Sequence, residues 1–217
     1  MIKANHKKVW EWFFVFYSKI SLRFVFREIR YCPFFRNEDI ERGRSVIIVS
    51  NHFFFWDGFI HLLLNRKLFK RKIHIMMLHE ELVKRKFLRF GGTFSIEKGR
   101  RAIFESLDYC CEILGDPANL LLIFPQGRIE SIYTSPFKFE KGIEYILKTL
   151  KDTDIYLNVN LINFQSKRRP TLSMYVKKLH ANSQKLSINE LEAEFNQFAT
   201  EAKEIVKRAV KELLPLM

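Results

Sequence analysis

"SVIIVSNHFFFWDGFI", residues 45–60, carries the pattern that decides the fold. Its first six residues are rich in branched apolar side chains, Val46 to Val49, the composition of a buried strand. From Asp57 a helical pattern runs to about Asn65. Between strand and helix stand Asn51, His52 and four consecutive aromatic residues, Phe53 to Trp56. Strand, turn and helix in that order open an α/β unit, and such folds place their sites at the carboxyl ends of strands. Asn51 and His52 fall there.

The alternation continues along the chain. Strand patterns cover 73–78, 91–96, 119–125, 155–164 and 171–179, and helical patterns cover 80–89, 99–114 and 139–150. A last helix opens on Ser187 and Glu190, three apart as in a capping box, with Leu191, Phe195, Phe198 and Ala202 on one face. The expected fold class is therefore α/β: a single domain with a mixed, largely parallel sheet flanked by helices, plus an N-terminal amphipathic helix. The expected organisation is an amphipathic element over 1–30 and the main domain over 31–217, with no internal repeat or low-complexity linker.

Residues 7–30 read as one two-faced helix. Trp10, Phe13, Phe14, Tyr17, Ile20 and Phe24 gather on one stripe, and Lys19, Arg23, Arg27 and Arg30 on another. That pattern suits a helix lying in a membrane interface, and it equally suits a helix covering the domain's own core with a solvated basic edge. The most apolar run, "WFFVFY" at 12–17, is far short of the roughly 20 residues a spanning helix needs. No secretory signal is apparent. Lys and Arg number 37 against 24 for Asp and Glu, a net charge of +13. An anionic membrane surface or phosphorylated ligands match that surplus, whereas no nucleic-acid-binding motif is present. The 3 cysteines, Cys32, Cys110 and Cys111, are too few for a disulfide framework. The histidines form no recognisable ligand set, so no metal is expected.

His52 and Asp57 lie five apart, which on one continuous helix would turn them away from each other. They meet if His52 sits in the turn and Asp57 in the helix beyond. A carboxylate on one imidazole nitrogen fixes the tautomer and leaves the other nitrogen free as a base. The alternative is a core histidine satisfied by a nearby carboxylate. No G-x-S-x-G or activated cysteine supplies a nucleophile, so the nucleophile is expected on the substrate, as a hydroxyl. A second motif, "FPQGR" at 124–128, also follows a buried strand: Pro125 turns the chain, Gly127 permits close approach, and Arg128 offers donors suited to phosphate. "FEKG", 139–142, opens a helix soon after.

In combination, "NHFFFWDG", "FPQGR" and "FEKG" resemble the glycerolipid acyltransferase family, typified by 1-acylglycerol-3-phosphate acyltransferases, over about residues 45–165. The resemblance implies His52 as general base and Asp57 as its orienting partner. It places Asn51, Gly92, Lys98, Arg100, Phe124, Pro125, Gln126, Gly127 and Arg128 on the substrate-binding side. It implies acyl transfer from a thioester donor, acyl-CoA or acyl-carrier protein, to a lysophospholipid hydroxyl, with no other cofactor. The expected setting is the inner face of the cytoplasmic membrane, peripherally bound. The sequence also departs from the family pattern. Gln126 stands for the usual glutamate, no threonine precedes Arg128, Lys98 stands for an arginine, and Asn158 for a proline. These changes fall on the acceptor side and leave open an aminolipid, glycolipid or polyene acceptor. A non-catalytic basic binding module is the alternative from another class.

Overall fold

A computed structural model describes residues 1–97, 99–149, 152–164, 167–180 and 186–213. In chain order it forms α1 (Lys8–Val25), β1 (Glu28–Pro33), β2 (Ser45–Ser50), α2 (Asp57–Lys67), β3 (Lys72–Leu78), α3 (His79–Lys84), β4 (Thr93–Ile96), α4 (Arg100–Leu114), β5 (Asn119–Ile123), α5 (Gly142–Thr149), β6 (Thr153–Asn163), β7 (Thr171–Leu179) and α6 (Ile188–Leu213). The seven strands make one sheet, ordered β1-β7-β6-β2-β5-β3-β4. Every neighbouring pair is parallel except β6 with β7. This is the mixed, largely parallel sheet that the alternating pattern predicts.

β2 lies at the centre of the sheet, between β5 and β6, and all six of its residues are buried. Because strand side chains alternate between faces, Val46 and Ile48 join one core and Ile47 and Val49 the other. The first core is completed by Leu22 of α1 and by Ile60 and Leu64 of α2. The second is completed by Leu107 and Cys110 of α4, Ile146 of α5, and Phe195 and Phe198 of α6. The Ser187 capping box forms: its Oγ accepts from the Glu190 N–H at 3.2 Å, and Glu190 Oε2 accepts the Ser187 N–H at 2.8 Å.

Two local expectations are corrected. The N-terminal helix stops at Val25, not at residue 30. Phe26 is extended, and Glu28–Pro33 pairs in parallel with β7. A ladder of sheet hydrogen bonds there outweighs a local helical pattern. The basic stripe is thereby divided, with Lys19 and Arg23 on α1, Arg27 beyond it and Arg30 on β1. The seam by which α1 packs is Phe14, Ser18 and Leu22, at spacings of four. Trp12, Phe13, Phe16, Ile20 and Phe24 remain exposed. The helix expected over 80–89 is also broken. α3 ends at Lys84, and a 3-10 turn over Lys86–Gly91 closes on Gly92 at φ +100°.

Candidate active site

β2 ends at Ser50, and the chain turns through Asn51–Trp56 before α2 begins at Asp57. The turn lets the two side chains meet: His52 Nδ1 lies 2.8 Å from Asp57 Oδ2. The same oxygen accepts the backbone N–H groups of Phe53 at 2.9 Å and Phe54 at 3.0 Å. One carboxylate oxygen thus orients the imidazole and closes the turn. Its place in the first turn of α2 also favours the negative charge, through the helix dipole. Asp57 is fully buried, and its Oδ1 has no hydrogen-bond partner among the described residues. The His52 side chain keeps 22% of its surface exposed. The Phe124 ring stacks on the imidazole at 4.3 Å between centroids and 19° between planes, which fixes the ring's tilt.

"FPQGR" follows β5, the strand beside β2, so both turns emerge on one edge of the sheet. Gln126 joins them: its Oε1 accepts the His52 N–H at 2.7 Å, and its Nε2 donates to Glu130. Glu130 returns the link, its N–H donating to the His52 carbonyl at 2.9 Å, and its Oε1 accepts from Arg128 Nε at 2.9 Å. The bond from Gln126, and then that from Arg128, holds the Glu130 carboxyl below the usual carboxylate range. Gly127 adopts φ +69°, and a Cβ there would come within 3.0 Å of Glu140 Cγ. "FEKG" therefore packs directly on the "FPQGR" turn, tied by the Glu140 N–H to the Pro125 carbonyl at 2.8 Å.

Beneath His52 lies a buried polar layer that pins β2 to β6. Asn51 exchanges two hydrogen bonds with the Asn160 backbone, at 3.1 and 2.8 Å, and Ser50 Oγ donates to Asn158 Oδ1 at 3.0 Å. His61, one helical turn after Asp57, donates from Nδ1 to the Asp57 carbonyl at 2.7 Å, and its Nε2 meets the Asn158 side chain at 2.7 Å. Burial pushes the His61 pKa down.

A cleft of about 910 Å³ opens at His52. His52, Phe124, Pro125, Gln126, Gly127 and Arg128 line its polar end, and residues such as Phe59, Leu62, Ile75, Leu107 and Ile146 line its apolar length. Arg85 and Lys141 add cationic groups that the sequence reading did not single out. The remaining residues from that reading lie elsewhere. Asn51 is in the buried layer. Gly92 faces the Ile73 carbonyl and the His6 ring, which an added Cβ would meet at 2.1 and 2.6 Å. Lys98 lies outside the described residues, and Arg100 begins α4 with its side chain outside them. Glu130, His61 and Asn158 were missed as supporting groups. Only His61 had a sequence signal, its spacing of four from Asp57 on one helix.

A hydroxyl or other weak acid entering the cleft would meet an oriented imidazole, an apolar slot and a cationic rim, an arrangement fit for group transfer from an amphipathic substrate. The acyltransferase family model matches residues 33–158, more than half of the chain, and the chain belongs to that family. Among solved structures, the chain resembles the 1-acyl-sn-glycerophosphate (LPA) acyltransferase PlsC from Thermotoga maritima. The TM-score is 0.54 at 17% identity, with 94% of this chain and 79% of that one covered, a likeness of fold. No curated protein sequence matches the chain.

Proposed function

We propose that the protein transfers a fatty acyl group from a thioester, acyl-CoA or acyl-carrier protein, to the hydroxyl of a lysophospholipid, with His52 as general base and Asp57 as its orienting partner. The observation that carries this reading is the hydrogen bond from His52 Nδ1 to the buried Asp57 carboxylate at the mouth of an apolar cleft. With Nδ1–H donated, Nε2 holds the free lone pair. In the proposed step Nε2 takes the acceptor hydroxyl proton as that oxygen attacks the thioester carbonyl. The tetrahedral intermediate then expels the thiolate, which recovers the proton from the imidazolium. Asp57 stabilises that imidazolium, as in the lower part of a catalytic triad. A positioned base of this kind contributes about 100- to 10,000-fold.

Arg128 extends 78% exposed from the polar end, and its guanidinium is anchored through Nε alone, which suits a phosphate on either substrate. The Thermotoga maritima neighbour is a 1-acyl-sn-glycerophosphate acyltransferase, which favours a glycerophospholipid acceptor. Gln126 and Asn158, departures from the family pattern, belong to the support beneath His52, so acceptor choice is assigned to the cleft wall and Arg128. No described helix is long and apolar enough to cross a membrane. The exposed Trp12, Phe16 and Phe24 of α1, with Lys19 and Arg23 beside them, support peripheral attachment at the inner face of the cytoplasmic membrane. The test is to offer each donor with a panel of lysolipids, aminolipids and glycolipids and identify products by mass. An acylated lysophospholipid is expected, and product only from a different acceptor class would reassign the substrate.

A further inference from the structure

A second cavity, of about 550 Å³, lies between α1 and α2. Its rim carries Lys8 from α1, Arg66 from the last turn of α2, and Lys70, Arg71 and Lys72 from the turn into β3. The carboxylate among its lining residues, Glu11, is already held by His6 Nδ1 at 2.6 Å. Elsewhere exposed lysines such as Lys84, Lys138 and Lys148 sit on carboxylates. Lys8, Arg66, Lys70 and Lys72 have no carboxylate partner among the described residues. Arg71 is committed elsewhere, donating its terminal nitrogens to the Pro117 and Glu41 carbonyls.

The floor of this cavity is apolar, formed by Phe14, Val15 and Leu62, and Trp12 stands at its edge 65% exposed. Trp12 stacks on the exposed Phe16 at 5.5 Å, which continues the rim into the aromatic surface of α1. Cations above an apolar floor, beside exposed rings, match an amphiphile whose phosphate enters while its apolar part stays with the rings. Phe14, Leu62 and Gly91 line both this cavity and the His52 cleft, so the two are neighbours separated by one layer of side chains.

We propose that this cavity binds the phosphate of an anionic membrane-lipid headgroup and seats α1 at the bilayer surface, at a site separate from the His52 cleft. It shares peripheral membrane attachment with the function proposed above and does not depend on the reaction. The test uses the full chain and co-sedimentation with phosphatidylcholine vesicles containing phosphatidic acid or, at matched surface charge, phosphatidylserine. Wild type is compared with Arg66→Gln/Lys70→Gln/Lys72→Gln and with a control of equal charge loss, Lys148→Gln/Lys167→Gln/Lys207→Gln. All the altered side chains are exposed, so the fold is expected to persist. The expected result is a preference of wild type and control for phosphatidic acid, whose phosphate is terminal. The cavity variant should lose that preference and bind such vesicles about ten-fold or more weaker. Equal losses in both triple variants, or no preference at matched charge, would overturn the site in favour of diffuse attraction. Inorganic phosphate that raises the Tm of wild type but not of the cavity variant, with vesicle binding equal in the two, would overturn the lipid assignment and leave a free-phosphate site. A run with His52→Ala separates the questions, since that variant should bind vesicles as wild type does whatever the fate of the transfer chemistry.

Discussion

Asp57 is asked to do two things, and a pair of substitutions separates them. Its Oδ2 accepts three hydrogen bonds, from the His52 ring and from the Phe53 and Phe54 backbone. In Asp57→Asn the amide oxygen can keep all three, with Nδ2 in place of the unpartnered Oδ1. The turn and the His52 tautomer should then persist while the charge that stabilises the imidazolium is lost. Asp57→Ala removes all three bonds and leaves two backbone donors unsatisfied, at about 1–3 kcal/mol each. Release of a buried carboxylate offsets part of this, for a net loss of about 3 kcal/mol. At 2–4 °C per kcal/mol for a chain of this size, the Tm of Asp57→Ala should fall by about 6–12 °C and that of Asp57→Asn by less than about 4 °C. Turnover should fall about 100- to 10,000-fold in both. Thermal unfolding and single-substrate kinetics on the two proteins read both quantities. Asp57→Asn with more than about a tenth of wild-type turnover would refute the role of the charge. Asp57→Ala with an unchanged Tm would refute its role in the turn.

Gly127→Ala forces a side chain into the left-handed region at φ +69° and toward Glu140, so a loss of about 1–2 kcal/mol is expected, seen as a Tm lower by about 2–8 °C. The same change should lower turnover, because it displaces the turn that holds Gln126 against His52. Burial brings the His74 pKa down to about 4, below the ordinary 6.5. The folded state therefore prefers the neutral ring, and its stabilisation is full above pH 6.5 and lost as the pH falls toward 4. Between neutral pH and pH 4 wild type should lose about 3 kcal/mol more than His74→Gln, measured by urea unfolding at successive pH values. Parallel curves for the two proteins would show that His74 does not carry this dependence.

Much of the fold was legible because its dominant signals are local. The run 45–50 is rich in branched apolar residues, as a strand buried on both faces is, and the structure buries every residue of it. The meeting of His52 with Asp57 was legible from the change of period between strand and helix. What escaped depends on distant partners. Nothing near Glu28–Pro33 announces a strand, because its ladder is with β7, more than a hundred residues later. The supporting role of Gln126 depends on Glu130 and on the backbone of a turn from another strand. Gly92 falls on a family motif, yet its surroundings, His6 and Ile73, come from two other parts of the chain. Which residues of α1 pack inward turned on one angular detail. Phe14, Ser18 and Leu22 face inward, which leaves Trp12, Phe13, Phe16, Tyr17 and Phe24 outside.

The central claim is that His52 is the base of an acyl transfer, and the most direct measurement is thioester consumption by wild type beside His52→Ala. Both proteins are given the same long-chain acyl thioester and lysophospholipid, with the Tm measured in parallel. The account predicts at least about a 100-fold loss of lipid-dependent consumption in His52→Ala, with the Tm close to that of wild type. Consumption by His52→Ala at the wild-type rate, with the same acylated product, would contradict it.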